Sequence, residues 1–228
     1  MDYLNVISFL IGVIGLVIGC VNLFYIRDIR RDLGGNETKG RLLFEEKNYL
    51  EALEYFKKES ESGSAYGSYM AGHILEEYLK DSEEYDNEKK ETGNIQPEIY
   101  YYKKANEQAE HSHGMTLKKD LQSGILAKYK IAKTEKELCK WWEEFEKIEK
   151  KCDNDTISIA YMWKGDVERK KNPGNEVEYY RKSANLGNAT GLRKLAIATN
   201  NMKEKKQYYI MAVMKGDVDS MAKLMEIM

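Results

Sequence analysis

Hydrophobic and polar positions follow two different rhythms along this chain. From Leu4 to Ile26, 23 consecutive residues carry no charged side chain. As a helix rising about 1.5 Å per residue the run covers roughly 34 Å, enough for the ~30 Å hydrocarbon core of a bilayer. Beyond Gly40 the apolar residues recur instead at the i, i+3, i+4 spacing of amphipathic helices, with charged residues between them. The pattern predicts an all-α chain. A single N-terminal transmembrane helix with a juxtamembrane extension occupies 1–33 and a flexible joint 34–38. A cytoplasmic α-solenoid of about five helical hairpins follows over 39–228. Within it, the polar stretch 81–98 ("DSEEYDNEKKETGNIQPE") reads as an inserted mobile loop.

Small and polar residues inside the apolar run share one face. Asn5, Ser8, Gly12, Gly15, Gly19 and Asn22 are spaced alternately by 3 and 4 residues, and Ile26, Ile29 and Leu33 continue the same heptad stripe. Small side chains let helix backbones approach closely, and Asn or Ser can hydrogen-bond across the contact. The stripe is therefore expected to be a self-association face of a homo-oligomer. In an assembly of about four or more copies it would line a narrow polar channel; with fewer it closes into a dry contact. Arg27, Arg30 and Arg31 follow the run and no basic residue precedes it. The positive-inside bias then puts the repeats in the cytoplasm and the N-terminus outside, at the cell (inner) membrane. The missing basic residues also argue against a cleaved secretory signal. The apolar "VNLFYI" after Cys20 argues against a lipoprotein anchor. Cys20, Cys139 and Cys152 are odd in number and lack metal-ligand spacing, which fits a reducing compartment.

The remainder is periodic. Aromatic pairs followed by charged residues begin at Tyr55, Tyr101, Trp141, Tyr179 and Tyr208, at steps of 46, 40, 38 and 29 residues. Each reads as the second helix of a helical hairpin, and "AYGSYMAGHILEEYLK" (65–80) and "TISIAYMWKGDVERKK" (156–171) read as candidate first helices. Periods of this size indicate stacked hairpins, because a single hairpin cannot bury its own apolar face. The stretch "EVEYYRKSANLGNATGLRKLA" (176–196) is similar to the Sel1-like repeat, a relative of the tetratricopeptide repeat. "ALEYFKKESESGSAYGSYMAGHIL" (52–75) resembles it too, with Gly63 at the turn and Gly72 where two helices would pack closely. "GRLLFEEKNYLEALEYFKK" (40–58) looks like a tetratricopeptide hairpin, and the tryptophan segment departs from the pattern with Glu149 at the turn-glycine position. The resemblance covers roughly Lys39 to Met228. It implies a scaffold that binds partners on a curved surface and transfers no catalytic residues.

Composition adds little to that picture. With 36 basic against 38 acidic residues the net charge is −2, so no global field draws the chain to nucleic acid. There is no Walker, GxSxG or HExxH pattern, and no enzymatic activity, cofactor or metal is expected. His111 and His113 lie two apart, on different faces of any helix, and read as surface residues; His73 reads as a core or boundary residue. The aromatic pairs read first as packing, one ring inward and its neighbour at the rim. A minority alternative makes them stacking platforms for a nucleotide or oligonucleotide, with Lys103, Lys104, Arg181 and Lys182 contacting phosphates. Two functions follow. The favoured one is a self-assembling single-span membrane effector, defence- or toxin-like, a gated pore or ion channel whose cytoplasmic repeats sense a ligand or protein partner. The alternative is a passive, membrane-tethered adaptor that recruits a cytoplasmic protein.

Overall fold

A computed structural model describes residues 35–112 and 117–227. The described residues form twelve α-helices and no strand: α1 (Asn36–Glu45), α2 (Tyr49–Glu61), α3 (Ala65–Glu77), α4 (Glu83–Glu91), α5 (Pro97–Glu110), α6 (Leu117–Ile131), α7 (Glu135–Ile148), α8 (Asn154–Lys171), α9 (Glu176–Asn185), α10 (Ala189–Ala198), α11 (Met202–Met214) and α12 (Val218–Glu226). They follow one another in a repeat-like arrangement of hairpins. The chain divides into two compact units after Tyr101, inside α5.

One turn recurs in both units and explains how neighbouring helices meet. Gly63, Gly187 and Gly216 end α2, α9 and α11 with φ of 92°, 88° and 89°, a left-handed conformation that costs glycine little and other residues about 1–2 kcal/mol. In each case the glycine N–H donates to the carbonyl three residues back, and the next N–H to the carbonyl five back: Gly63 to Ser60 and Ser64 to Glu59, Gly187 to Ala184 and Asn188 to Ser183, Gly216 to Val213 and Asp217 to Ala212. The turn thus satisfies carbonyls that the helix leaves open. The next residue then starts the following helix. Ser64, Asn188 and Asp217 accept from the N–H groups of Gly67 (3.1 Å), Gly191 (2.8 Å) and Ser220 (3.2 Å). The residue so capped is small because the preceding helix lies against it: a Cβ on Gly67 would sit 2.5 Å from Glu59 Cβ, and one on Gly191 2.4 Å from Ser183 Oγ. Gly72 is buried as the sequence suggested, but the tight approach across the turn falls at Gly67.

In the first unit Leu53, Phe56, Ile74 and Leu75 are fully buried. Two expectations change here. Of the joint predicted at 34–38, Gly35 is the extended N-cap residue of α1 and 36–38 lie in its first turn, while Gly34 lies outside the described residues. The 81–98 stretch, predicted to be a mobile loop, contains α4. Ser82 caps it at the Tyr85 N–H, 3.2 Å away. Tyr85 is buried and donates its hydroxyl to Glu98 at 2.7 Å. Glu88, only 1% exposed, accepts from Lys57 and from the Tyr101 hydroxyl at 3.1 Å. Average polarity hides this attachment, because one tyrosine and one fully paired carboxylate hold a helix that is otherwise solvated. Burial works against the Lys57 charge, but the hydrogen bond and charge of Glu88 outweigh it and raise the lysine pKa above its usual value. With α4 the described residues hold twelve helices, against the ten of about five hairpins.

In the second unit the aromatic pairs set the core. Tyr180 and Tyr209 are buried while their neighbours Tyr179 and Tyr208 are half-buried, the inward-and-rim arrangement expected of packing. Tyr102 is fully buried, and its neighbour Tyr101 is buried as well. Tyr180 packs with Ala184, Leu192, Leu195 and Ala212, joining α9, α10 and α11. Gly165 of α8 lies against that ring: a Cβ there would sit 2.4 Å from Tyr180 Cε1. The ring cannot easily yield, since it is 1% exposed and its hydroxyl donates to Asp166 at 2.8 Å. Gly165→Ala gains up to about 1 kcal/mol of helix propensity but overpacks a rigid site at a cost of about 1–3 kcal/mol. The variant is therefore expected to melt at a lower temperature than the parent in a thermal circular-dichroism scan. A higher midpoint would show that the two helices have room to separate.

Candidate functional site

Helix α7 is where the repeat departs from its rule. Thr134 and Glu137 form a reciprocal capping box at its start. Its first tryptophan, not its second, points inward: Trp141 is 1% exposed and donates Nε1–H to the Ile125 carbonyl at 2.9 Å. Phe145, one turn later, is fully buried beside it. The register is thereby one residue off, and the chain has no need of a glycine at the next turn. Glu149 adopts φ −47°, ψ −47° and leads into a short 3-10 turn, Glu149–Lys151, while its carboxylate accepts from the Tyr161 hydroxyl at 2.6 Å.

Trp142, displaced outward by this register, joins a ladder of rings and lysines across α7, α8 and α9. Its ring centroid lies 5.7 Å from Tyr161 and 5.8 Å from Tyr179. Lys164 Nζ stands 5.3 Å from the Trp142 centroid and 5.7 Å from that of Tyr179. Lys182 Nζ stands 5.3 Å from Tyr161 and 5.6 Å from Tyr179. These are cation–π distances. Both lysines also hold carboxylates, Lys164 with Glu168 at 2.7 Å and Lys182 with Glu178 at 3.0 Å. The hydrogen bond from Lys164, opposed by burial and aided by its charge, keeps the Glu168 carboxyl below the usual range.

The ladder bears on the predicted phosphate contacts. Lys182 is committed to Tyr161, Tyr179 and Glu178, and shares the Tyr179 ring with Lys164. Arg181, on α9, and Lys103, on α5, are exposed, whereas Lys104 is half-buried on α5. Contacts therefore group Lys182 with Lys164 rather than with Lys103 or Lys104. Lys164 and Tyr161 went unnoticed in the sequence, although their i, i+3 spacing beside the "MW" of 162–163 was visible. Asn5, Ser8, Gly12, Gly15, Gly19, Asn22, Ile26, Ile29 and Leu33 lie outside the described residues, as does the predicted span. Among the described residues no helix is long and apolar enough to cross a membrane. His111 is exposed, with Nδ1 2.8 Å from the Glu107 carbonyl oxygen, and His113 lies outside the described residues. His73 is half-buried among Phe44, Tyr69 and Tyr78. Among the described residues no group of three or more His, Cys, Asp or Glu is placed to hold a metal.

A groove of about 380 Å³ opens between α5, α6 and α7. Its floor is the close crossing of α5 and α6, where a Cβ on Gly124 would lie 2.4 Å from Ala109 Cβ. Leu121, Ile125 and Ile148 supply apolar walls. Across the rim Lys128 and Glu144 pair at 2.5 Å. The volume falls within the ~300–1,000 Å³ of ligand-binding clefts, and Glu110 and Lys147 add one charge of each sign to its lining.

No protein-family model matches the sequence, and no curated protein does either. Among solved structures, the crystal structure of a Sel1 repeat protein from Oxalobacter formigenes is similar at TM-score 0.46 and 18% identity, over 84% of this chain and 72% of that one.

The aromatic core also sets a response to alkali. Burial, with help from Glu98, pushes Tyr85 up to about 12, and burial with the Asp166 charge does the same for Tyr129. Burial with the Asp166 hydrogen bond raises Tyr180 further, as burial with the Glu149 hydrogen bond raises Tyr161. An unfolded tyrosine ionises near pH 10, so the neutral phenols stabilise the fold fully below about pH 10. That contribution is lost as pH rises through the folded values. Tyrosinate absorbance and helical circular dichroism are expected to change together above about pH 10, as one cooperative step. Ionisation of all tyrosines with the helical signal intact would contradict it.

Proposed function

We propose that this chain is a membrane-tethered helical-repeat adaptor that docks a segment of another protein in the groove between α5, α6 and α7. The groove itself carries the reading. Its floor is a helix crossing made close by Gly124 and Ala109, Leu121, Ile125 and Ile148 line it, and its charged lining, Lys128 and Lys147 with Glu110 and Glu144, is balanced. Such a surface selects by apolar side chains and shape. An anionic nucleotide would need an excess of cations at the cleft, where Lys128 and Lys147 are matched by Glu110 and Glu144, and the ladder commits Lys182 elsewhere. The tether is the uncharged 4–26 run, and binding without chemistry is the activity. Leu121 is only part-buried, so Leu121→Arg places a charge in the groove without opening the core. Partners recovered by affinity capture with the parent chain are expected to bind the variant at least about tenfold more weakly. Equal affinity, with helicity unchanged, would remove the groove from the function.

The polar heptad stripe from Asn5 to Asn22 favours a second reading, in which copies assemble through the span and ligand binding to the repeats gates a pore. Gly15→Leu with Gly19→Leu widens the close-approach face. A pore is expected to lose conductance in planar bilayers with this double variant, whereas an adaptor keeps its partner. Conductance that survives the change would exclude the stripe as a pore lining.

A further inference from the structure

Helix α4 is attached to the first unit by very few side chains. Of its 9 residues Tyr85 and Glu88 are buried, Glu84 is half-buried and the others are exposed. A helix that short does not hold its shape alone in water. Most of its attachment is polar: the Tyr85 hydroxyl donates to Glu98, and Glu88 accepts from Lys57 and from the Tyr101 hydroxyl. Both ends leave room to pivot. Residues 78–82 and 92–96 are non-helical, and Gly93 and Asn94 reverse the chain with φ of 71° and 62°. Tyr85 shares one apolar cluster with Leu79 and Tyr101, which are 8% and 6% exposed.

We propose that α4 is a hinged cover that opens as a unit while α2 and α3 stay folded, with the Lys57–Glu88 ion pair as its latch. A buried ion pair is hard to break from one side and easy to separate whole. When α4 lifts, both charges return to water and recover the hydration that burial removed. Lys57 also keeps Glu54, on its own helix and 3.9 Å away, as a partner. Loss of the ammonium alone is different. It leaves the Glu88 carboxylate, 1% exposed, with the Tyr101 hydroxyl as its remaining partner. The closed pair thus sets where α4 docks, and the Tyr85 ring supplies the apolar attraction. One buried ring is a small holding force against the backbone entropy of a whole helix. Opening withdraws Tyr85 and uncovers Leu79 and Tyr101, so the latch controls access to that apolar surface. The device does not depend on what the groove binds.

Amide hydrogen exchange read by mass spectrometry tests this on the full 228-residue chain. In the parent, peptides from α4 are expected to exchange at least about tenfold faster than peptides from α3, as a separately opening unit does. Lys57→Met keeps the side-chain stem and removes the charge. It is expected to speed exchange in α4 by a further factor of about ten while α3 is unchanged. Adding Glu88→Gln removes the stranded charge and keeps an acceptor for the Tyr101 hydroxyl, so exchange in α4 is expected to return to the parent rate. Equal rates for α4 and α3 in the parent would overturn the proposal, because α4 would then open only with the whole unit. Acceleration of α3 together with α4 in Lys57→Met would overturn it in the same way. A double variant that exchanges as fast as Lys57→Met alone would show that the ion pair is not the latch.

Discussion

Close approach between consecutive helices is the constraint on which this molecule depends. Each recurring turn solves it with a left-handed glycine, a capping side chain on the next residue, and a small residue at the third position of the following helix. The glycine lets the chain reverse without a long loop, and the cap supplies a hydrogen-bond partner for an open N–H. The small residue removes the Cβ that would otherwise hold the helices apart, as at Gly67 and Gly191. Only then can Phe56 or Tyr180 reach the facing helix and be fully buried. Local backbone chemistry and core packing are one device here, spread over about a dozen residues.

The tryptophan unit shows what happens when the device is altered. With Trp141 and Phe145 taking the buried positions, Trp142 moves outward and Glu149 needs no left-handed turn. Its neighbours respond. α7 packs more sparsely on α6 and α8 than α9 does on α8, and the groove opens beside it. The aromatic–lysine ladder then ties α7, α8 and α9 together from the outside, with Lys164 and Lys182 both at the Tyr179 ring. A departure from the repeat thus gives the second unit both its cleft and the brace beside it. Repeats that all obeyed the rule would present a more uniform surface and fewer places to bind anything.

The sequence by itself determined the helical class, the positions of the aromatic helices, the inward-and-rim disposition of most ring pairs, and the turn glycines. All of these are local in origin, set by side-chain period or by the φ that a single residue tolerates. Tertiary structure decided the rest. It made α4 a docked helix, because the Lys57–Glu88–Tyr101 contacts join residues far apart in sequence and offset a composition that otherwise favours solvent. It grouped Lys182 with Lys164 at the Tyr179 ring, since a cation in a string of letters carries no sign of which carboxylate or ring will hold it. It placed the groove where Gly124 meets Ala109, and left Met221 and Met225 exposed although their equivalents Leu192 and Ala196 are buried. Periodicity fixes which face of a helix is apolar; what covers that face depends on neighbours that only the folded chain brings together.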